Sequence, residues 1–419
     1  MSESSPSHRL PRLITFLALG VFAAFGAWRI VSLNLAEHYA SKGDVASAEQ
    51  ALEWIPGHPR ASEIVARGML ESDPAQAVET LRAALPANPV RGMSYALLGA
   101  ALNAQGQQEA ASAALAPAVR LAPALVNVRL IAAGDALARN DLPALLQHWS
   151  VAASRRGALH AEIFPALAAL VTNPETHPAF RQLLEAKQPW WPSFVRFAAD
   201  KQESLAPMLA AYELSLDSPA NRLEGKQLNP VIGRLQRDKL WLDARLAWMD
   251  TLAPEQLEGM ANVFNGDFEQ PISDVGYDWQ RSRANQIVVD TAPTAGAGGN
   301  QALYVLFRGP RVRFQHLQQY LSLPPGTYVL RGRARLDDLQ TTRGLVWNLN
   351  CIGKTERSIA RSEPFAGRSP WRSFEVPVSI PTDDCPAQRL RLQLDGRVAL
   401  DFDARGQAWF DDIRIEPVN

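Results

Sequence analysis

The sequence predicts a multidomain α + β chain: an N-terminal transmembrane helix, an α-helical repeat region, and a C-terminal antiparallel β-sandwich. Three observations lead there. A basic-flanked apolar run lies near the start. An Ala- and Leu-rich stretch with a period near 34 residues follows. From about residue 259 onward, short period-two alternations replace helical spacing. The expected divisions are 1–34 for a cytoplasmic tail and anchor, 35–258 for the helical repeats, and 259–419 for the sandwich.

Length and composition set the frame. A chain of 419 residues is too long for one core and suggests two or three domains. Its 47% hydrophobic content suits folded protein, and a formal net charge of −1 argues against nucleic-acid binding. The β-region is biased: 18 Arg and a single Lys, Lys354, stand against 18 Asp and Glu. Both cysteines, Cys351 and Cys385, fall there. Two cysteines define no disulfide-rich scaffold, but one bridge between them is expected in an oxidising compartment. If both stay free, a cytosolic location returns.

His8, Arg9 and Arg12 precede the apolar run Leu13–Trp28. As helix that run is about 24 Å long, short of a hydrocarbon core of roughly 30 Å. Continuing to Leu33, with Arg29 snorkelling to the far interface, makes a span feasible. The positive-inside rule keeps Arg9 and Arg12 cytoplasmic and places the bulk of the chain outside the cytoplasm. A cleaved signal peptide, cut near Ala24-Phe25-Gly26, is the competing reading. Helical pattern that runs unbroken through Ile30–Tyr39 favours the uncleaved anchor.

The segment Tyr95, Leu98, Gly99, Leu102, Gly106, Ala111, Leu115, Ala118, Pro123 places each residue at the offsets of a tetratricopeptide repeat. Small Gly99 and Ala111 let two helices approach, Leu98, Leu102 and Leu115 fill their seam, and Pro123 ends the second helix. Tyr39, Gly43, Ala48 and Leu52 hold the same offsets upstream, as do Ala77, Leu81 and Ala84. Beyond residue 125 the pattern decays, with Leu235, Ala244 and Trp248 as one degenerate later unit. A plain helical bundle that reuses Ala and Leu is the alternative. Such repeats bind peptides or partner proteins on a concave side. Trp190, Trp191, Trp241 and Trp248 are expected in the core rather than on a partner surface.

In the β-region, Tyr328, Leu330, Gly332 and Ala334 alternate with Arg331, Arg333 and Arg335. Leu390, Leu392 and Leu394 alternate with Arg389, Arg391 and Gln393, and Phe374, Val376, Val378 and Ile380 form another apolar face. Pro324-Pro325-Gly326 is a turn feeding the strand at Tyr328. Strands of this kind joined by Gly/Pro turns make a two-sheet antiparallel sandwich.

Five segments in order then carry a resemblance: Asn265-Gly266-Asp267-Phe268-Glu269, Leu303-Tyr304-Val305, Leu323–Tyr328, Trp371-Arg372-Ser373-Phe374 and Trp409–Ile415. Over roughly 262–419 the chain resembles the galactose-binding-like jelly roll of many carbohydrate-binding modules. The resemblance makes the first segment a strand and implies a structural calcium between Glu269 and Asp411. Alternation independently places Asp411 on the face of Ile413 and Ile415, where a buried carboxylate needs a partner: a hard cation, a backbone group or an Arg.

Glycan binding by this resemblance calls for an exposed aromatic beside polar groups. Trp347 is the choice, with Asn348 and Asn350 on the same strand, Leu345–Cys351. Strict alternation sets Trp347 with Leu345 and Leu349, opposite both asparagines, so a shared site needs a strand end or bulge. Arg331 and Arg333 suit an acidic polysaccharide through bidentate pairing, or are an ordinary solvated face.

No His-x-x-x-His spacing, nucleophile elbow or phosphate loop is present, and no catalytic role is expected. Anchor, repeats and jelly roll together resemble accessory proteins of bacterial exopolysaccharide assembly and export. That implies a single-pass inner-membrane protein with its bulk in the periplasm, a protein partner from envelope polysaccharide machinery, and a bound glycan. A purely protein-binding envelope scaffold and a polysaccharide-modifying hydrolase are the alternatives.

Overall fold

The computed structural model describes residues 9–282, 284–309 and 313–418. Two compact units emerge, Met1–Trp191 and Pro192–Asn419. The division falls inside the helical region expected at 35–258, because the last helices before the sandwich pack on it.

In the first unit α1 (Arg9–Ser41) is one continuous helix. From Thr15 onward it is long and apolar enough to cross a membrane. Phe16, Leu17, Phe22, Phe25 and Trp28 on it are all exposed. Helices α2 (Val45–Trp54), α3 (Pro59–Met69), α4 (Pro74–Ala84), α5 (Gly92–Ala104), α6 (Gln108–Leu121), α7 (Val126–Ala138), α8 (Leu142–Arg155), α9 (His160–Val171) and α10 (His177–Leu184) follow.

Their starts are written in the sequence. Asp44, Asp73 and Asp141 each accept an N–H from the first turn of α2, α4 and α8. Proline occupies the first turn of α3, α4 and α8, where its missing donor costs nothing. The α5–α6 seam is tight where expected: a Cβ on Gly99 would lie 2.6 Å from Leu115 Cγ and 3.1 Å from the Ala111 carbonyl. Leu97, Leu98, Leu102 and Ala111 share one buried cluster. Trp190 and Trp191 are buried as well.

The second unit begins with α11 (Trp191–Lys201), which straddles the division, and α12 (Ala206–Leu216), α13 (Asn229–Arg237), α14 (Trp241–Met249) and α15 (Pro254–Glu258). Buried Arg234 donates to the carbonyls of Ala199, Gln202 and Glu203 and to Asp238, tying α13 to the end of α11. Trp248 meets Phe264 edge-on at 5.0 Å, and Gly276, at φ +56, leaves no room for a Cβ beside the same indole. The α13–α14 pair is thereby fixed to the sandwich.

Ten strands are present among the described residues: β1 (Gln280–Arg281), β2 (Ile287–Pro293), β3 (Gln301–Phe307), β4 (Leu317–Leu321), β5 (Gly326–Thr341), β6 (Leu345–Ile352), β7 (Glu356–Arg361), β8 (Gly367–Ile380), β9 (Ala387–Leu394) and β10 (Ala404–Pro417). They form two antiparallel sheets of a jelly-roll sandwich, sheet A in order β1-β4-β9-β6-β7 and sheet B in order β2-β3-β10-β5-β8. The alternation in β5 holds: Tyr328, Leu330, Gly332 and Ala334 are buried while Arg331 is exposed. Trp279, Trp347, Phe410, Leu330, Leu390 and Leu392 meet in one core.

Two expectations are corrected. Asn265–Glu269 is a turn, not a first strand, since Asn265 and Phe268 both sit at positive φ. Ile413 N–H donates to the Gly266 carbonyl at 2.8 Å, which docks this turn against β10. Asp411 does not share the face of Ile413 and Ile415. A β-bulge between Asp411 and Arg414, with Asp412 at φ +54, resets the alternation. Phe410 and Ile413 face the core, whereas Asp411 pairs with Arg333 on the outer face of sheet B.

Candidate functional site

The outer face of sheet A brings together polar groups far apart in sequence. Period-two geometry turns Leu390, Leu392, Trp347 and Leu349 inward and Arg389, Arg391, Asn348 and Asn350 outward. Register then sets Gln318 beside Arg391 and Tyr320 beside Arg389, with Asn348 and Asn350 on the other flank. Arg391 Nη2 donates to Gln318 Oε1 at 2.9 Å, and Gln318 Nε2 donates to Gln280 Oε1 at 3.3 Å. Asn348 Nδ2 donates to Asn350 Oδ1 at 2.7 Å, and Ser358 Oγ donates to Asn348 Oδ1 at 2.6 Å. Asn350 Nδ2 donates in turn to Glu356. The result is a band of planar amides and guanidiniums crossing all five strands.

Its charges are unequally matched. Glu356 receives Arg389, and Asp395 receives Arg343 and Arg361. Burial raises the Glu356 carboxyl, but Asn350, Arg389 and Arg391 outweigh it and leave its pKa below the usual range. Half-buried Arg391 has its pKa lowered, first by burial and then by neighbouring Arg389. Among the described residues no carboxylate forms an ion pair with it.

At the β1 edge the band opens into a cleft of about 830 Å³ against α13. Asn229, Gln236, Gln280, Asn285, Gln318 and Tyr320 line it. Its charged members are paired: Asp274 receives Lys226 at 2.8 Å and Arg281 at 3.0 Å. Burial opposes that ionisation, but the bonds from Arg281 and Lys226 win and hold the Asp274 pKa at about 2. The volume lies within the range of roughly 300–1,000 Å³ common to ligand sites. Trp241 leans over Tyr320 at 6.1 Å, so α14 covers the aromatic ring of this face.

The residues expected to share a site are divided. Asn348 and Asn350 lie in the band. Trp347 does not: it is fully buried, 5.6 Å from Trp279 and 5.5 Å from Phe410, with no ring face for a sugar. Alternation on β6 is the reason, and the β6–β7 bulge at Leu349/Asn350 leaves it intact. Arg331 and Arg333 sit on the other sheet. Arg331 bridges Glu375 and Glu416, while Arg333 donates to the Gly296 carbonyl and lies over Trp371 at 5.4 Å. Cys351 and Cys385 are joined, with Cα atoms 5.3 Å apart.

Glu269 and Asp411 converge on the loop between β2 and β3. Glu269 Oε1 accepts the N–H groups of Asn300 and Gln301 at 2.7 and 2.9 Å. Asp411 Oδ2 accepts that of Gly298 at 2.5 Å, and Oδ1 that of Asp412 at 2.8 Å. Burial raises the Asp411 pKa against these bonds. Carboxylate oxygens are the right donors for calcium, but the main-chain N–H groups now on them would have to be displaced. No group of three or more His, Cys, Asp or Glu gathers to hold a metal among the described residues.

Gln318, Tyr320, Glu356 and the cleft went unmarked in the sequence. Arg389 and Arg391 were visible as one face of a strand, but nothing local named their neighbours.

No protein-family model and no curated protein matches the chain. Among solved structures, the chain is similar to a family 4 carbohydrate-binding module at 16% identity and TM-score 0.27, covering 37% of this chain and 99% of that one. A family 61 module in complex with β-1,4-galactotriose matches at 21% identity and TM-score 0.27, covering 38% and 100%. A xylan-binding domain from Paenibacillus barcinonensis matches at 13% identity and TM-score 0.26, covering 34% and 93%. A Stig cyclase from Fischerella sp. TAU matches at 16% identity and TM-score 0.27, covering 38% and 97%.

Proposed function

We propose that this is a non-catalytic accessory protein of bacterial polysaccharide assembly or export, anchored in the inner membrane by α1 with its bulk in the periplasm. The outer face of sheet A binds glycan, and a tetratricopeptide-like array over 35–125 binds a protein partner. One observation carries the glycan reading: the continuous band from Glu356 and Asn350 through Arg389 and Arg391 to Gln318 and Gln280, ending in the polar cleft. Planar amides and guanidiniums fixed by one another are suited to sugar hydroxyls. The length and apolarity of α1 support the anchor, and the close α5–α6 seam at Gly99 supports the repeat.

The test uses the full chain in detergent micelles, with α1 retained, in affinity electrophoresis against a panel of bacterial and plant polysaccharides. Retention by at least one polymer is expected. Asn350→Ala should weaken it by about tenfold, the worth of a lost hydrogen bond or two. Cover of Tyr320 by Trp241 favours a second reading, a scaffold that binds only protein. Retention by no polymer, with an unchanged melting curve, would decide for the scaffold.

Calcium between Glu269 and Asp411 is part of the same proposal. A cation bound only by the folded state raises the melting temperature by mass action. Millimolar calcium should therefore raise the sandwich transition relative to EDTA, and coincident curves would remove calcium from the account.

A further inference from the structure

We propose that the outer face of sheet A takes an acidic saccharide, a uronate or other carboxylated sugar, whose carboxylate pairs with the Arg391 guanidinium. This rests on the glycan reading above and names its ligand class. The other arginines of the face are matched: Arg389 to Glu356, and Arg343 and Arg361 to Asp395. Arg391 has only neutral partners, Gln318 Oε1 at 2.9 Å and Gln315 Oε1 at 3.4 Å. A half-buried cation hydrogen-bonded to amides alone, with the nearby Glu356 carboxylate already bonded to Arg389, is a costly arrangement that an incoming anion relieves.

Position supports the same conclusion. Arg391 lies on β9, the central strand of sheet A, between Gln318 of β4 and Asn348 of β6. A sugar carboxylate placed there would have the partly exposed Asn350 of β6 to one side and the cleft beyond Gln318 on the other. A guanidinium offers the planar fork that matches a carboxylate, which a lysine ammonium does not. The cleft itself favours no anion, because Lys226 and Arg281 are already paired with Asp274. The acidic group is thus assigned to one position in the band.

The experiment compares polygalacturonate with its methyl ester, and alginate with neutral galactan, using the full chain in detergent micelles. Polygalacturonate or alginate should be retained at least tenfold more strongly than the ester or galactan, with retention falling as salt rises. Arg391→Gln should abolish that preference, while Arg391→Lys should keep part of it. Equal retention of acid and ester, indifferent to salt, would overturn the acidic assignment and leave glycan binding standing. No retention of any polymer by a chain of unchanged melting behaviour would overturn both. The ester comparison needs no variant, so it decides even if Arg391→Gln does not fold.

Discussion

Trp347→Ala is expected to cost the sandwich about 3–5 kcal/mol, because it empties a fully buried indole from between the two sheets. The ring packs against Trp279 and Phe410, and its backbone pairs with Leu392. Phe410 and Leu392 belong to different sheets and Trp279 to the segment before β1, all in a single core, so they cannot collapse together without moving both sheets. Trp347→Phe should cost much less. The indole N–H is buried without a hydrogen-bond partner, so a phenyl ring removes an orphan donor while keeping most of the contact. Trp371→Ala, on the half-buried outer face of sheet B, is the control and should melt close to wild type. Urea unfolding of the full chain followed by tryptophan fluorescence and far-UV circular dichroism reads all three. A Trp347→Ala chain that unfolds with wild type but no longer binds polysaccharide would show that Trp347 is a sugar platform after all.

That residue shows what a single sequence can and cannot reveal here. Period-two alternation is a local consequence of backbone geometry, so it correctly put Trp347 with Leu345 and Leu349 and turned Asn348 and Asn350 away. The same rule gave the buried row of β5. It failed at Asp411, where a bulge resets the count. At Asn265–Glu269 it was the family resemblance, not alternation, that made a strand, and positive φ values make that segment a turn. Phe268 is not a residue expected at positive φ, and Asp412, although Asp tolerates it, stands inside an unbroken strand pattern that does not mark it out.

The band on sheet A was illegible for a different reason. Gln318 and Arg391 are 73 residues apart and touch because β4 and β9 are neighbours, a matter of strand order. The cleft depends on α13 packing against β1 and β4, although its helix pattern reads only as a degenerate repeat. Asp411 met its need for a partner in the Gly298 N–H, supplied by a glycine-rich loop that otherwise reads as a spacer.

Removing the Cys351–Cys385 bridge, by reductant or by the double change to Ala, should destabilise the sandwich by about 3–4 kcal/mol. The cysteines are 34 residues apart, and closing a loop of that length in the unfolded chain accounts for the figure. For a unit of this size that is a drop in melting temperature on the order of 10 °C. The native geometry near the bridge has other ties. Asp384, at φ +53, accepts the Lys354 N–H at 2.7 Å and pairs with Arg357, and Arg357 also donates to the Asp383 carbonyl. These bonds hold the β6–β7 loop against the turn before β9 without the sulfurs, so the reduced protein should keep its secondary structure at room temperature. Glu356 is the first residue after that loop and receives both Arg389 and Asn350. Loosening the loop should therefore weaken polysaccharide retention only modestly, well short of the effect of Arg391→Gln. Differential scanning calorimetry with and without reductant measures the first effect, and affinity electrophoresis the second. Identical melting curves in the two conditions would mean that the bridge contributes nothing to stability. A full loss of retention would instead place the loop's order, rather than the arginine pair, at the centre of ligand binding.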